Sequence, residues 1–586
     1  MAERFGNLVQ LFERSVEKYR ARDLFGVKKG GSWQWITYGA FSDEVDAVRG
    51  GLGSLGVQAG DRVAIIADNR VEWAAACYAT YGLAASYAPM YESQLAKEWE
   101  FILKDCGAKV VLVATRAIAE KVGTLRANLP ALQHVVSLEG DEGQADSYAA
   151  LLERGTHAKA PSRHPSSSDL AGLIYTSGTT GTPKGVMLSH GNIRSNINAV
   201  LEIFTFEPDD RSLAFLPWAH SFGQTCELHG LLAMGCSIAI NDEIPKLVEN
   251  LAEVKPTILF AVPRIFNRIY DGVNKQIAER PAPIQSLVKT GVENATKKTN
   301  GESIGILGEI GLWLADTLAF SKIRGRFGGR LKYAISGSAA LSREVADFID
   351  GLGIMVYEGY GLTETSPIST ANFPGARKIG SVGKAIPGVT IKIDRTATNH
   401  ERDGEILVYG PNVMMGYHNR PEENRAVLME DGGFRTGDMG YLDADGFLYI
   451  TGRIKEQYKL ENGKYVVPSP LEEQIKLSPY IANVFVFGDN RPYNVAVVVP
   501  ERSTLEEWAK ANAADIAHPN DCTKIRGLIE KELDEKLGEA KGYEKVKNFV
   551  VVGEDFTTEN GMLTPTLKLK RRAVLDRYGK LLENLY

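Results

Sequence analysis

Short apolar runs and amphipathic stretches alternate along the first third of the chain. Apolar side chains recur at helical spacing in residues 6–20 and 40–55, which predicts two amphipathic helices. From Asp61 onward strands and helices take turns, and this rhythm predicts a parallel, doubly wound sheet. The elements predicted there are strands at 63–67, 86–89 and 109–113, and helices at 72–81 and 97–103.

The middle of the chain continues this alternation but interrupts it twice. Residues 139–168 are polar and rich in Gly, Ser and Pro, which predicts a surface excursion. Residues 265–330 predict a largely helical insert with a basic end. Strands are predicted at 171–175, 213–217, 238–240, 257–262 and 331–336, and a helix at 190–201.

The pattern changes again in the last third of the chain. Residues 380–450 carry short alternating strands with Asp-Gly and Pro-Gly turns, which predict a small β subdomain. After Ile454 the charge rises, and strands alternate with helices at 503–512 and 523–537. The predicted fold is therefore α/β. A large N-terminal domain of doubly wound sheets with a β subdomain spans residues 1–453, and a small, mobile α+β domain spans 454–586.

Two apolar stretches have nearly the length of a membrane span. The first, Val71 to Met90, contains Glu72 and Pro89 and predicts a buried helix followed by a strand. The second, residues 303–320, is interrupted by Glu309 and Asp316, which lie on one helical face. A packed helix is the favoured prediction for this second stretch, and a peripheral contact with a membrane is the alternative.

Composition narrows the class of protein. The formal net charge is −6, so nothing basic dominates and nucleic acid is not expected as a partner. Five cysteines are scattered without a C-x-x-C pair, and the N-terminus has no apolar signal region. We expect a cytoplasmic enzyme, with a peripheral position at the inner membrane face as the alternative. Composition leaves both a monomer and a homodimer open.

The stretch Tyr175 to Val186 is the strongest chemical signal in the chain. It combines glycines and hydroxyls with Lys184, and such a loop can surround an anion with backbone N–H groups. An ordinary polar turn needs fewer special residues. The run does not match the Walker motif, because Pro183 stands where that motif has glycine and Gly185 follows the lysine. The sequence therefore predicts phosphate binding of another kind.

Two further segments carry candidate chemistry. His220 follows a predicted strand in a Pro-x-x-His run, at the edge where α/β sheets place ligands, although a purely structural histidine is the alternative. Glu364 follows a Gly-rich turn among hydroxyls, which suits a magnesium ligand better than a solvated loop carboxylate.

In this order, these segments resemble the adenylate-forming superfamily of acyl-CoA synthetases, luciferases and peptide-synthetase adenylation domains, over roughly residues 10–570. The resemblance implies catalytic roles for Lys568, Glu364, His220 and Lys184, and Mg²⁺ ligation by Thr176 and Glu364. It implies a hinge at Lys455, with Lys459 and Gly463 on the coenzyme A side. The residues implied in ATP binding are Thr176, Ser177, Gly178, Thr179, Thr180, Gly181, Lys184, Gly337, Ser338, Ala339, Glu358, Gly359, Tyr360, Gly361, Thr363, Asp438, Arg453 and Lys568.

One motif departs from the family pattern. The family usually reads Gly-Lys around the adenylation lysine, whereas this chain reads Leu567-Lys568 with Lys570 nearby. Lys568 is the favoured lysine, and Lys570 and a solvated basic tail are the alternatives.

The insert after Arg264 and the ending Leu563-Thr-Pro-Thr-Leu-Lys resemble the long-chain fatty acyl-CoA synthetases. The implied reaction joins a long-chain fatty acid to coenzyme A through an acyl-adenylate, with ATP and Mg²⁺. A medium-chain or aryl acid:CoA ligase, an acyl-AMP ligase that loads a carrier protein, and a nucleotide-binding scaffold without turnover are the alternatives.

Overall fold

A computed structural model describes residues 5–177, 183–299, 301–339, 341–397, 402–564 and 566–586. The chain divides into two compact units. The first consists of Met1–Lys392, Leu407–Arg435 and Asp443–Leu448, and the second of Ile393–Ile406, Thr436–Leu442 and Tyr449–Tyr586. The predicted domain boundary at Arg453–Lys455 stays a prediction.

The first unit contains a seven-stranded sheet built around the predicted βαβ rhythm. Five neighbouring strands, from Leu170–Ser177 across the sheet to the edge strand His134–Ser137, run parallel. The two remaining strands, at the opposite edge, pair antiparallel. Apolar runs such as Val110–Val113 are buried along their whole length, as strands covered on both faces require. The strand order is Gly416–Tyr417, Pro183–Ser189, Leu170–Ser177, Ser86–Met90, Arg62–Ile66, Val110–Val113 and His134–Ser137.

A nine-stranded sheet in the same unit repeats this arrangement. Its strands run parallel from Val356–Gly361 to Asp23–Lys29, and antiparallel strands close both edges. The strand order is Lys384–Ala385, Ile368–Ala371, Val356–Gly361, Tyr333–Ser336, Ile258–Ala261, Arg211–Ala214, Ser237–Ile240, Asp23–Lys29 and Ser32–Thr37. The predicted α/β class with doubly wound sheets is confirmed.

Helices cover these sheets where the 3.6-residue periodicity predicts them. The first helix buries Leu8, Leu11, Phe12 and Val16, and the Asn7 side chain caps it by accepting from Gln10 N. The helices of the first unit are Leu8–Tyr19, Tyr38–Ser54, Val71–Gly82, Ala96–Cys106, Arg116–Leu125, Tyr148–His157, His190–Ile203, Gly230–Ala233, Leu247–Val254, Pro263–Ala278, Ala282–Thr299, Gly305–Ala315, Ser321–Arg326, Arg343–Gly351 and Pro421–Val427, with π-helical turns at Phe222–His229 and Asp316–Phe320.

The predicted surface excursion over 139–168 is wrong at Tyr148–His157, which is a helix. It packs closely on the helix Tyr38–Ser54 through glycines. A Cβ atom on Gly155 would lie 1.7 Å from the carbonyl oxygen of Ala47, and one on Gly51 would lie 2.3 Å from that of Leu151. Backbone-to-backbone packing of this kind needs few large apolar side chains, so the hydrophobic pattern is weak there.

The helical insert is confirmed. Its apolar helix packs on the neighbouring helix Ala282–Thr299, as favoured, but the contact runs through small residues and not through the large apolar side chains. The helix Gly305–Ala315 turns its large apolar side chains to solvent and buries Ala315. Within the described residues, we find no helix with the length and apolarity needed to cross a membrane.

The predicted β region is a four-stranded sheet in the order Thr390–Asp394, Gly404–Tyr409, Phe434–Leu442 and Leu448–Arg453. The C-terminal part of the second unit holds a three-stranded sheet of Ile481–Phe487, Asn494–Pro500 and Val546–Val551, and a two-stranded one of Tyr458–Lys459 and Tyr465–Val466.

Apolar clusters cover both faces of the three-stranded sheet. Ile525 and Ile529 contribute to one cluster, and Val574 and Tyr578 to the other. The last helix is therefore part of a core. The helices here are Pro468–Ile475, Arg502–Asn512, Thr523–Lys536 and Arg571–Glu583.

Candidate active site

The predicted phosphate loop connects two antiparallel strands. Thr176 lies opposite Lys184 in the register of Leu170–Ser177 and Pro183–Ser189, so the loop begins and ends beside both residues. The strand Pro183–Ser189 was not expected from the sequence, because its pattern merges with the polar loop. Gly178, Thr179, Thr180 and Gly181 lie outside the described residues.

Tyr417 connects two predicted site residues that are far apart in the sequence. The Nζ atom of Lys184 lies 5.1 Å from the centre of the Tyr417 ring, which is a cation–π distance. The hydroxyl of the same tyrosine donates a 2.8 Å hydrogen bond to Oε1 of Glu364. Tyr417 reaches this place because its short strand pairs with the strand that carries Lys184. Lys184 Nζ also lies 3.9 Å from Oε1 of Glu423.

Two asparagines fix the turn that follows Glu364. The amide nitrogens of Asn196 and Asn412 each donate to the carbonyl oxygens of Thr365 and Ile368, at 2.9–3.2 Å. The side-chain oxygen of Asn196 also accepts from Ile368 N at 2.9 Å. This double clamp fixes the backbone from Thr365 to Ile368, directly after Glu364, which helps to preorganise that carboxylate.

The strand before the turn requires a glycine at its end. A Cβ atom on Gly361 would lie 1.8 Å from the carbonyl oxygen of Pro367, so no larger residue fits there. Gly359, Tyr360 and Gly361 pair with the antiparallel strand Ile368–Ala371.

His220 lies further from its strand than the sequence predicts. The strand ends at Ala214, and His220 precedes the π-helical turn Phe222–His229. Its Nδ1 atom accepts a 3.2 Å hydrogen bond from Phe222 N, so a neutral ring carries its proton on Nε2. The next residue, Ser221, places its hydroxyl 3.1 Å from that of Thr363. The histidine run and the Gly-rich run are thus neighbours.

The segment Gly337-Ser338-Ala339 follows the strand Tyr333–Ser336, beside Phe222. A Cβ atom on Gly337 would lie 3.3 Å from the Phe222 ring, and Ser338 has a φ of 71°. Glu358 is buried nearby and accepts from Leu341 N at 3.3 Å. Burial raises the pKa of Glu358 to about 7, so this carboxyl titrates near neutrality.

In the second unit, Asp438 and Arg453 form an ion pair. Oδ1 of Asp438 lies 2.9 Å from Nε of Arg453. The Asp438 side chain is buried, whereas 41% of the Arg453 side chain is exposed. Gly437, with a φ of 72°, turns the chain before Asp438, and its carbonyl oxygen accepts from Ile454 N at 2.9 Å.

Lys459 and Gly463 lie on one β-hairpin. Lys459 pairs with Tyr465 in register, and Gly463, with a φ of 82°, lies in the turn between the two strands. Lys455 is exposed in the turn that follows the strand Leu448–Arg453.

The conformation of Leu567 bears on the departure from the Gly-Lys pattern. Leu567 has a φ of 60°, in the left-handed region that glycine adopts without strain and leucine adopts only with strain. The main chain of the next residue, Lys568, is fixed by two bonds, from Lys568 N to Thr564 Oγ1 at 3.0 Å and from Thr564 N to Lys568 O at 2.8 Å. The Lys568 side chain is exposed, whereas Lys570 is half-buried at the start of the last helix.

The donor set in the first unit fits a magnesium ion that also binds phosphate. Glu364 offers a carboxylate, and the Tyr417 bond uses only one of its acceptor positions. Mg²⁺ takes one or two carboxylates and completes its shell with phosphate oxygens and water. No group of three or more His, Cys, Asp or Glu side chains suited to a metal occurs within the part of the chain that the structure describes.

Comparison with known proteins decides the family. Residues 12–418 match the family model described as AMP-binding enzyme, and residues 455–586 match that of the AMP-binding enzyme C-terminal domain. The chain belongs to the AMP-binding enzymes.

Curated relatives of this AMP-binding enzyme cover it almost completely. It is 33% identical to the long-chain-fatty-acid–CoA ligase FadD15 of Mycobacterium bovis, over 95% of this chain and 93% of that protein. It is 30% identical to the peroxisomal long chain acyl-CoA synthetase 7 of Arabidopsis thaliana, over 99% and 86% respectively. Among solved structures, the adenylation domain of a carboxylate reductase from Mycobacterium chelonae superimposes with a TM-score of 0.82, at 25% identity over 99% of this chain and 91% of that one.

Sequence reasoning missed three residues of this AMP-binding enzyme's candidate site. Tyr417, Asn196 and Asn412 act through tertiary contacts with Glu364 and with the turn after it. Asn196 looks like an ordinary polar position on an amphipathic helix, and Asn412 and Tyr417 lie in a segment without a chemical pattern. We know of no signal in a single sequence that would have identified them.

Proposed function

We propose that this AMP-binding enzyme is an AMP-forming ligase that joins a long-chain fatty acid to coenzyme A. The geometric observation that carries the chemistry is the Tyr417 junction. It brings the Lys184 ammonium and the Glu364 carboxylate to one ring beside the phosphate loop. Similarity to curated long-chain ligases extends over nearly the whole chain, at 30–33% identity, and supports the choice of substrate.

The first half-reaction needs positive charge more than it needs a base. The fatty acid carboxylate attacks the α-phosphorus of ATP, and the bond from that phosphorus to the pyrophosphate oxygen breaks. Negative charge grows on the phosphoryl oxygens, where Lys184 and Lys568 are proposed to stabilise it. Thr176 and Glu364 would hold the Mg²⁺ ion, which supplies further positive charge to the phosphates when bound.

The remaining first-unit residues are proposed to position the substrates. Thr363 and the backbone of Gly359 to Gly361 would contact the phosphates, and the small residues Gly337 to Ala339 would let the flat adenine ring approach the backbone. His220, with its proton on Nε2, would donate toward the acid. Glu358 is proposed on the adenine side through its backbone, since its carboxyl is buried against Leu341.

The ribose is assigned to the second unit. Asp438 would accept hydrogen bonds from both ribose hydroxyls, and Arg453 would donate to the ribose. Their ion pair fixes both side chains before the nucleotide binds. Such preorganisation reduces the entropy lost on binding.

The second half-reaction is a thioester exchange. The coenzyme A thiolate attacks the acyl carbon of the adenylate, its new carbon–sulfur bond replaces the bond to phosphate oxygen, and AMP leaves. Lys568 is not needed here, so we propose that the C-terminal domain turns about Lys455 between the steps. This movement presents the hairpin of Lys459 and Gly463 to coenzyme A.

The backbone favours Lys568 over Lys570 as the adenylation lysine. Leu567 adopts the left-handed conformation that suits the glycine of the family's Gly-Lys pair. The residue that follows such a glycine is the lysine, which here is Lys568.

We propose that the enzyme acts in the cytoplasm, as its scattered cysteines predict. Fatty acid and coenzyme A are its proposed partners, and both a monomer and a homodimer stay open.

A panel of acids tests the proposed substrate. Purified enzyme is given ATP, Mg²⁺ and coenzyme A with acids from acetate to stearate and with benzoate, and AMP and thioester are quantified. Each buried CH₂ contributes about 0.8 kcal/mol, so KM should fall with chain length until the pocket is full. A preference for benzoate or acetate over palmitate would favour the medium-chain or aryl alternative. Transfer to a carrier protein but not to coenzyme A would favour an acyl-AMP ligase.

A further inference from the structure

In the helix Gly305–Ala315 and the turn after it, large apolar side chains face solvent and small residues face the protein. With about 100° between successive residues, Trp313, Ile306, Ile310, Leu314 and Leu307 fall within an arc of about 120°. This arc faces solvent, with Ile306 exposed by 81%, Leu307 by 87% and Trp313 by 65%. Of the sixteen large apolar residues exposed in the described part of the chain, six lie here: Ile306, Leu307, Ile310, Trp313, Leu314 and Leu318.

Small residues hold the opposite side of this helix against the protein. A Cβ atom on Gly291 would lie 2.5 Å from that of Ala315, which is fully buried. The carbonyl oxygen of Gly308 accepts from Nδ2 of Asn294. An ion pair from Lys298 to Glu309, at 2.9 Å, also joins the helix to Ala282–Thr299. The large side chains therefore face solvent although the helix is seated on its neighbour, so the exposed face is not a packing surface of its own unit.

The charge of the helical insert differs from that of the whole chain. Residues 263–330 contain eleven Lys and Arg against six Asp and Glu, a formal net charge of +5, whereas the chain carries −6. Exposed Lys322, Arg326 and Arg330 follow the apolar helix directly. An apolar face beside basic side chains fits an anionic lipid surface, because the apolar groups enter the acyl boundary while the cations meet the headgroups.

We propose that this face, residues 305–318 with the basic segment 321–330, docks the enzyme on anionic phospholipid bilayers. A second copy of the chain fits the face less well, because a symmetric contact would bring two segments of charge +5 together. The role of such docking rests on the proposed function. A long-chain acid partitions into the bilayer, so an enzyme held at that surface meets its substrate there.

Vesicle flotation with the full-length enzyme, without ATP or coenzyme A, tests the docking independently of the ligase activity. Vesicles of phosphatidylcholine alone are compared with vesicles that also contain phosphatidylglycerol. One variant combines Ile310→Ser with Trp313→Ser, and its matched control combines Ile244→Ser with Val248→Ser, which are exposed by 51% and 56% elsewhere. A charge variant combines Lys322→Glu with Arg326→Glu, and its control combines the exposed Lys510→Glu with Lys531→Glu.

We expect the wild type to bind the anionic vesicles, more weakly at high salt, and both face variants to bind about tenfold or more weakly. Both controls should bind like the wild type, and all variants should keep the wild-type melting temperature and turnover of a short, water-soluble acid. Absence of wild-type binding, or equal losses in face variants and controls, would overturn the proposal. Light scattering of the wild type and the face variants measures whether the face instead joins two copies of the chain. If the face variants dissociate a dimer and leave vesicle binding unchanged, the face is an interface between copies.

Discussion

The Nε atom of Arg453 lies 2.9 Å from Oδ1 of Asp438, at the end of a strand that reaches the predicted hinge. The aspartate is buried and the arginine is half-exposed, so the arginine side chain joins the buried carboxylate to the surface. The two residues of this pair lie 15 positions apart in the sequence, on strands of one sheet.

If Asp438 binds the ribose, Asp438→Asn should raise the KM for ATP by about 10–100-fold, because hydrogen bonds to a charged group are lost. The matched ligand is 2′-deoxy-ATP, which lacks one of the two hydroxyls. Its KM should rise less in the variant than that of ATP. Equal rises for both nucleotides would show that Asp438 acts through the structure and not on the ribose.

Substitutions at Tyr417 separate its two contacts. Tyr417→Phe removes the hydroxyl that bonds Glu364 and keeps the ring, so it should lower kcat/KM by about tenfold or less. Tyr417→Ala also removes the ring beside Lys184 and should lower kcat/KM further. Glu364→Gln should lower kcat/KM by about 100-fold and raise the Mg²⁺ concentration required for activity. Steady-state assays over a range of Mg²⁺ check this series. Near-normal activity of Glu364→Gln at limiting Mg²⁺ would refute the metal assignment.

Lys568 and Lys570 can be distinguished by half-reactions. Lys568→Ala should abolish acid-dependent pyrophosphate release and spare the conversion of supplied acyl-adenylate to thioester, because its charge is needed only while the phosphoryl oxygens gain charge. Lys570→Ala is the matched control and should affect neither step strongly. The opposite pattern would move the assignment to Lys570.

Leu567→Gly tests whether the left-handed backbone before Lys568, and not the leucine side chain, is what adenylation requires. Glycine relieves the strain of the left-handed conformation, about 1 kcal/mol, and should leave adenylation intact. Loss of adenylation in this variant, measured as pyrophosphate release, would mean that the leucine side chain itself is required.

Glu227 should make stability depend on pH. It is fully buried on the π-helical turn, and burial raises its pKa to about 8, against the opposing effect of Ser212 and Trp218. The folded protein therefore keeps a proton that the unfolded chain loses above the ordinary glutamate pKa of 4.5. The stabilisation from this group consequently falls as pH rises from about 4.5 to about 8.

Glu227→Gln keeps the neutral shape and removes this titration. Relative to the wild type, its stability should be similar near pH 5 and greater near pH 8 by about 2–4 kcal/mol. Urea unfolding of both proteins at the two pH values gives the difference in their free energies of unfolding. The other titrating groups contribute equally to both proteins and cancel in this difference. A variant less stable than the wild type at pH 8 would show that the carboxylate is charged and held by partners.

The sequence predicts those parts of the fold that depend on apolar periodicity. Runs such as Val110–Val113 and the faces of long helices are recognisable because burial alone determines them. The helix Tyr148–His157 was missed because glycines make its closest contacts, and the strand Pro183–Ser189 because it adjoins the polar loop.

The same limit applies to the candidate site. Loop composition predicts Lys184 and Glu364 as site residues, since their neighbours are unusual in composition. Tyr417 depends on the pairing of Gly416–Tyr417 with a strand more than two hundred residues earlier, which no local pattern encodes. The exposure of Trp313 was missed for the opposite reason, because an apolar run normally predicts burial.

We propose that the chain activates a long-chain fatty acid as its adenylate before coenzyme A reacts. The most direct measurement is exchange of labelled pyrophosphate into ATP with palmitate and Mg²⁺ and without coenzyme A, since only a reversible adenylation produces it. We predict exchange that requires palmitate, and palmitoyl-CoA with an equal amount of AMP once coenzyme A is added. Absence of palmitate-dependent exchange, or formation of ADP and phosphate in place of AMP and pyrophosphate, would contradict this proposal.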